Sequence, residues 1–151
     1  MTVNNAPAFA TIMFLTGVGI PILAALNGGL GARLGSPMAA SMILFGLAFL
    51  IATSGALFTG SVGQVQFTAD IPAQFYFGGL FVAFYVIAVT FIAPKFGVGN
   101  AIFFVLVGQL ISAATIDHFG LFGALRSAID ARRVAGIALM IAGVYLARRT
   151  A

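Results

Sequence analysis

From about Phe9 to Leu30 the chain is predominantly apolar and carries no charged side chain, and comparable runs return at about Met38 to Phe58, Ala73 to Ala93 and Gly99 to Ile116. Crossing a hydrocarbon core of ~30 Å takes about 20 such residues in a helix. A fifth run, about Ala131 to Ala147, has a shorter apolar centre. Arg132, Arg133, Arg148 and Arg149 flank it, and arginines at both ends can snorkel outward and lengthen the usable span. The runs are continuous rather than alternating, which argues against barrel strands. In lipid the backbone must then satisfy itself within helices. The pattern predicts an all-α membrane protein of five transmembrane helices in a single domain over residues 1–151.

Composition supports that reading. Only 7% of the residues are charged and 62% are hydrophobic, whereas an average soluble protein carries roughly 25% charged residues. The net charge of +4 does not point to nucleic acid, because the seven basic residues are dispersed at helix ends as lipid-interface anchors. With no cysteine in the chain, disulfides, thiolate chemistry and cysteine-bound metals are excluded. Nothing suggests a metal or another cofactor. No Lys or Arg precedes the first run, so it lacks the basic leader of a cleaved signal peptide and reads as a retained helix.

Punctuation between the runs is readable. In "GARLGSP", Ser36 is placed to cap a helix and Pro37 to occupy its first position. Pro21 lies inside the first run, where it removes one backbone donor. "TGSVGQVQFTADIP", residues 59 to 72, is the first polar loop. "HFGLFGALRSAIDARR" is too polar to cross and reads as a short interfacial helix before the fifth run. With five crossings the termini lie on opposite sides. Arg126, Arg132 and Arg133 then fall on one side, and Arg33, Lys95, Arg148 and Arg149 on the other. The positive-inside bias that normally orients a membrane protein is nearly absent, which allows insertion in both orientations.

Three stretches, "ALNGGLGARLGSPMAASMILF" (25–45), "QFYFGGLFVAFYV" (74–86) and "GQLISAATIDHFG" (108–120), resemble the short five-helix YdcZ-like branch of the drug/metabolite transporter superfamily. The resemblance covers essentially the whole chain. It implies a multi-pass protein of the bacterial inner membrane, half of a ten-helix inverted-repeat transporter, that works as an antiparallel homodimer or with a homologous subunit. Gly136 and Gly143, seven apart in "GIALMIAGV", are similar to the two-glycine dimerisation motif of small multidrug-resistance transporters in the same superfamily. Those exporters centre on a glutamate in the first helix. This chain has no glutamate, so proton-coupled cation export by that route does not carry over.

Polar groups at membrane depth are costly and therefore candidate functional residues. Gln109 lies near the middle of the fourth run with Ser112 three residues on, sharing its face; both are candidates for lining a substrate path, with interhelical hydrogen bonding as the plain alternative. Asn27, near the end of the first helix and beyond Pro21, is a third candidate, against an ordinary kink with Asn27 bonding to a neighbouring backbone. In the helically spaced set Phe77, Phe81, Phe84 and Tyr85 the phenylalanines read as a lipid-facing stripe. Tyr85 differs, because a buried hydroxyl needs a partner. Gly78, Gly79 and Ala83 offer a close-packing face in the same helix, and Gly136 and Gly143 a dimer seam.

Asp117 is out of place at a helix C-terminus, where the macrodipole disfavours negative charge, whereas His118 suits that position. Asp117 pairs with His118, Arg126 or a neighbouring subunit, or it caps the segment that follows; with His118 it also forms a pair able to relay protons. Two functions remain open on this basis. One is a secondary transporter of a small organic molecule, with Asn27, Tyr85, Gln109 and Ser112 lining the site and Asp117 and His118 at one mouth. The other is a non-transporting subunit that assembles or stabilises another membrane protein. An enzyme is disfavoured, since neither a nucleophile motif nor a cluster of metal ligands is present.

Overall fold

The computed structural model describes residues 6–65 and 71–147, and all regular structure among them is helical. Helix α1 (Ala6–Leu34) continues through Pro21. Helix α2 (Pro37–Phe58) follows a two-residue turn. A 3₁₀ turn at Ala73–Phe77 leads into α3 (Gly78–Phe96). Helix α4 (Val98–Phe119) and helix α5 (Ala131–Ala147) complete the order. Four helical stretches, Ala6–Leu34, Pro37–Phe58, Ala73–Phe96 and Val98–Phe119, are long and apolar enough to cross a membrane. Helix α5 has 17 residues, a length of about 25 Å at 1.5 Å per residue. Arg148 and Arg149, read from the sequence as anchors of α5, lie outside the described residues.

Local signals explain the helix boundaries. Ser36 Oγ accepts from Ala39 N at 3.1 Å, and Pro37 fills the first helical position, where its missing N–H costs nothing. Within the helices, hydroxyls turn back on their own backbone. Thr11, Thr16, Ser41, Thr90 and Thr115 each donate to the carbonyl four residues earlier, at 2.7–2.9 Å. A hydroxyl bonded this way needs no water, so it can lie in an apolar medium.

The chain forms two compact units. One holds Leu23–Pro94, that is, the second part of α1 with α2 and α3. Its core is made of small side chains: Ala24, Ala40, Val86, Val89 and Ala93 are buried, together with the polar Asn27, Ser41 and Thr90. Gly31 shows why. A β-carbon there would stand 3.2 Å from Pro37 Cα and 3.3 Å from Thr90 Cγ2. The other unit holds Met1–Ile22 and Lys95–Ala151, and among its described residues Asn100, Ala101 and Ala114 are buried. Large side chains point outward instead, with Phe14 71%, Phe49 69% and Leu80 65% exposed. Small residues inside and large apolar ones outside is the arrangement expected when lipid is the solvent and close packing drives association.

The segment expected to form a short interfacial helix before α5 does not. It makes one 3₁₀ turn at Leu121–Gly123, and residues 124–130 have no regular structure. Gly120 at φ 64° and Gly123 at φ 80°, with Phe122 at φ 56° between them, hold the backbone in the left-handed region, from which no right-handed helix propagates.

Because its neighbours at Gly31 include backbone, they cannot swing aside. Gly31→Leu should therefore lower the stability of the detergent-solubilised protein by at least about 1–3 kcal/mol. Gly46→Leu, at a position with nothing within 4 Å, should leave the melting temperature nearly unchanged; thermal unfolding followed by size exclusion measures both.

Candidate functional site

In the unit formed by residues 23–94, Asn27 is buried and bonded across the fold. Its Nδ2 donates to Thr90 Oγ1 at 2.6 Å, and the Thr90 hydroxyl donates in turn to Val86 O at 2.7 Å. Asn27 is thus bonded not to a neighbouring backbone, as the plain reading had it, but to a side-chain hydroxyl 63 residues away, and Thr90 attracted no notice in the sequence. A polar residue in the third apolar run was the available signal. Asn27 also faces an open groove of about 310 Å³. Leu23, Leu26 and Leu30 of α1 and Ile43, Leu44 and Leu47 of α2 line it, and Asn27 is its one polar residue.

Tyr85, in the same unit, keeps most of its interest. Its hydroxyl is buried and has no hydrogen-bond partner among the described residues, which marks it as a group awaiting a donor or acceptor. The phenylalanines of its stripe are exposed, Phe81 at 72% and Phe84 at 74%. Gly78 and Gly79 have nothing within 4 Å, so the close-packing face they form is unused among the described residues.

The remaining candidates belong to the other unit. Gln109 and Ser112 are both exposed on α4. Gly136 and Gly143 are exposed on α5 with open space around them.

Asp117 and His118 sit where α4 ends. Asp117 Oδ2 accepts from Arg133 Nη2 in an ion pair. Neither His118 nor Arg126, two of the partners the sequence offered, is its side-chain partner, because the turn brings the first residues of α5 back beside α4. Asp130 Oδ1 accepts from Arg133 N at 2.7 Å and so caps α5. His118 Nδ1 accepts from Ile129 N at 3.0 Å, which leaves the proton of a neutral ring on Nε2. The last carbonyls of α4 are closed off as well. Gly120 N donates to Ile116 O, Ser127 N to Asp117 O at 2.8 Å, and Arg126 Nε to His118 O at 3.3 Å. Three of the carbonyls that the end of α4 leaves open, those of Ile116, Asp117 and His118, thus find a donor in the turn that follows. Among the described residues no cluster of three His, Cys, Asp or Glu is placed to hold a metal ion.

Over residues 8–146 the chain matches the family described as "Putative inner membrane exporter, YdcZ". The chain belongs to the YdcZ family. No curated protein and no solved structure matches it. Membership in the YdcZ family, with four helices long and apolar enough to cross a bilayer, makes this a multi-pass membrane protein of the transporter class rather than an enzyme. One of the three stretches that carried the sequence resemblance, residues 108–120, is the part of this YdcZ-family chain that ends α4.

Asp117 and Arg133 have side chains 38% and 30% exposed, so solvent screens their attraction and the pair contributes modestly. A double-mutant cycle with Asp117→Ala and Arg133→Ala should return a coupling of about 0.5–1 kcal/mol in thermal or denaturant unfolding. A coupling near zero would mean that the hydrogen bonds of the turn, not the ion pair, hold α4 to α5.

Proposed function

We propose that the chain is a secondary exporter of a small organic molecule. It works as an antiparallel dimer of five-crossing subunits, each one half of a ten-helix inverted-repeat arrangement, by alternating access. The observation that carries this reading is the exposure of Gln109 and Ser112 on α4. An amide and a hydroxyl on a helix of this length and apolarity are not left against hydrocarbon, where each carries a desolvation cost. A second subunit or a polar path must meet them. The uncovered Gly136 and Gly143 on α5 supply a surface for close approach of that subunit, and the balanced Lys and Arg count supports opposed orientations.

The polar groups proposed to meet the solute are Asn27, Tyr85, Gln109 and Ser112. Asp117 and His118 act as the structural seal of α4 rather than as a proton relay, since the carboxylate is engaged by Arg133 and the imidazole Nδ1 by Ile129.

Purified protein in liposomes, assayed with a panel of labelled organic solutes with and without a pH gradient, should move at least one of them. Gln109→Ala should cut that flux by about tenfold, the equivalent of one lost polar contact. If no solute moves and a constant larger partner co-purifies, the chain is an assembly subunit instead. Reporters fused to either terminus should each give signal from both faces of the membrane; a single fixed orientation would rule out an antiparallel homodimer.

A further inference from the structure

The groove between α1 and α2 contains one polar residue, and that residue is oriented from behind. Asn27 is 4% exposed and shares the groove wall with six leucine and isoleucine side chains. A hydroxyl has a single hydrogen, and Thr90 gives its own to Val86 O. Thr90 can therefore only accept from Asn27. Turning the amide over would set two acceptor oxygens against each other at 2.6 Å. The bond from the Thr90 hydroxyl to Val86 O thus decides which way Asn27 faces. Its Oδ1 accepts no hydrogen bond among the described residues, which leaves two lone pairs open beside one remaining amide hydrogen.

From this we infer that the groove binds a neutral, lipophilic molecule bearing a hydrogen-bond donor. The apolar body lies against the six aliphatic side chains, and a hydroxyl or uncharged N–H donates to Asn27 Oδ1. Neutrality follows from the wall, since no charged side chain lines the groove and an ion brought in without a counter-charge loses its hydration uncompensated. The volume, about 310 Å³, lies at the small end of the range for ligand sites. A lipid acyl chain could fill the same space, but it has nothing to give Oδ1. That this molecule is also the one transported rests on the exporter reading above; its binding does not.

β-Naphthol and its methyl ether share one ring system and differ in the donor, and both fluoresce. Titrated against the protein in phosphatidylcholine nanodiscs, with empty nanodiscs as blank, the naphthol should bind about threefold to tenfold more tightly than the ether, the effect of one net hydrogen bond. Asn27→Leu should abolish the difference. Thr90→Val should shrink it by releasing the amide, and Thr90→Ser, which restores the hydroxyl, should keep it. Equal affinities in the unaltered protein, or a difference that survives Asn27→Leu, overturn the inference, as does exclusion of both probes by acyl chains. Donor-selective binding without flux of any solute preserves this inference and removes the exporter reading; flux without donor selectivity does the reverse.

Discussion

A polar atom that enters hydrocarbon must bring its partner with it, and the architecture of this chain follows from that requirement. The serine and threonine hydroxyls that bond the carbonyl four residues back meet it locally, within one turn. Asn27 cannot, because its amide has more donors and acceptors than its own helix can absorb. It therefore bonds a hydroxyl on α3 that is already anchored. That one bond brings two helices together where Gly28 and Gly31 on α1 leave room for them, Gly28 against Pro94 and Gly31 against Thr90. The packing of small residues and the polar bond reinforce each other, since neither contact forms at the separation a larger side chain would impose.

The same requirement operates at the end of α4, with a different solution. Here the helix stops near the boundary of its apolar run, and its carbonyls are capped by the following turn rather than by water alone. The turn is built from left-handed residues and returns the chain so tightly that Arg133 lies beside Asp117. A carboxylate poorly placed for the helix dipole is thereby neutralised by the helix that comes next.

How much of this was legible depends on the range of the interaction concerned. Apolar run length, the Ser36–Pro37 start of α2 and the outward phenylalanine stripe are set by residues within a turn or two of one another, and the sequence displays them directly. Thr90 was not visible because its role exists only once Asn27, 63 residues away, is beside it. Arg133 was overlooked for a related reason. Counted by position it is a membrane-edge anchor, and only the absence of a helix at 124–130 turns it back toward α4. The expected interfacial helix failed because local polarity was read without the glycines at 120 and 123, whose backbone conformations break the helical path.

The clamp at Asp117 has a geometrical effect on the adjoining flank of α5. Gly136 and Gly143 follow Arg133 by three and ten residues, which places both at nearly the same azimuth, within about a quarter turn of it. Holding the arginine biases α5 against rolling about its own axis and so favours one compass bearing for its bare, glycine-edged flank. A contact at the water's edge thereby biases the direction from which another helix can draw near, well before any such helix arrives.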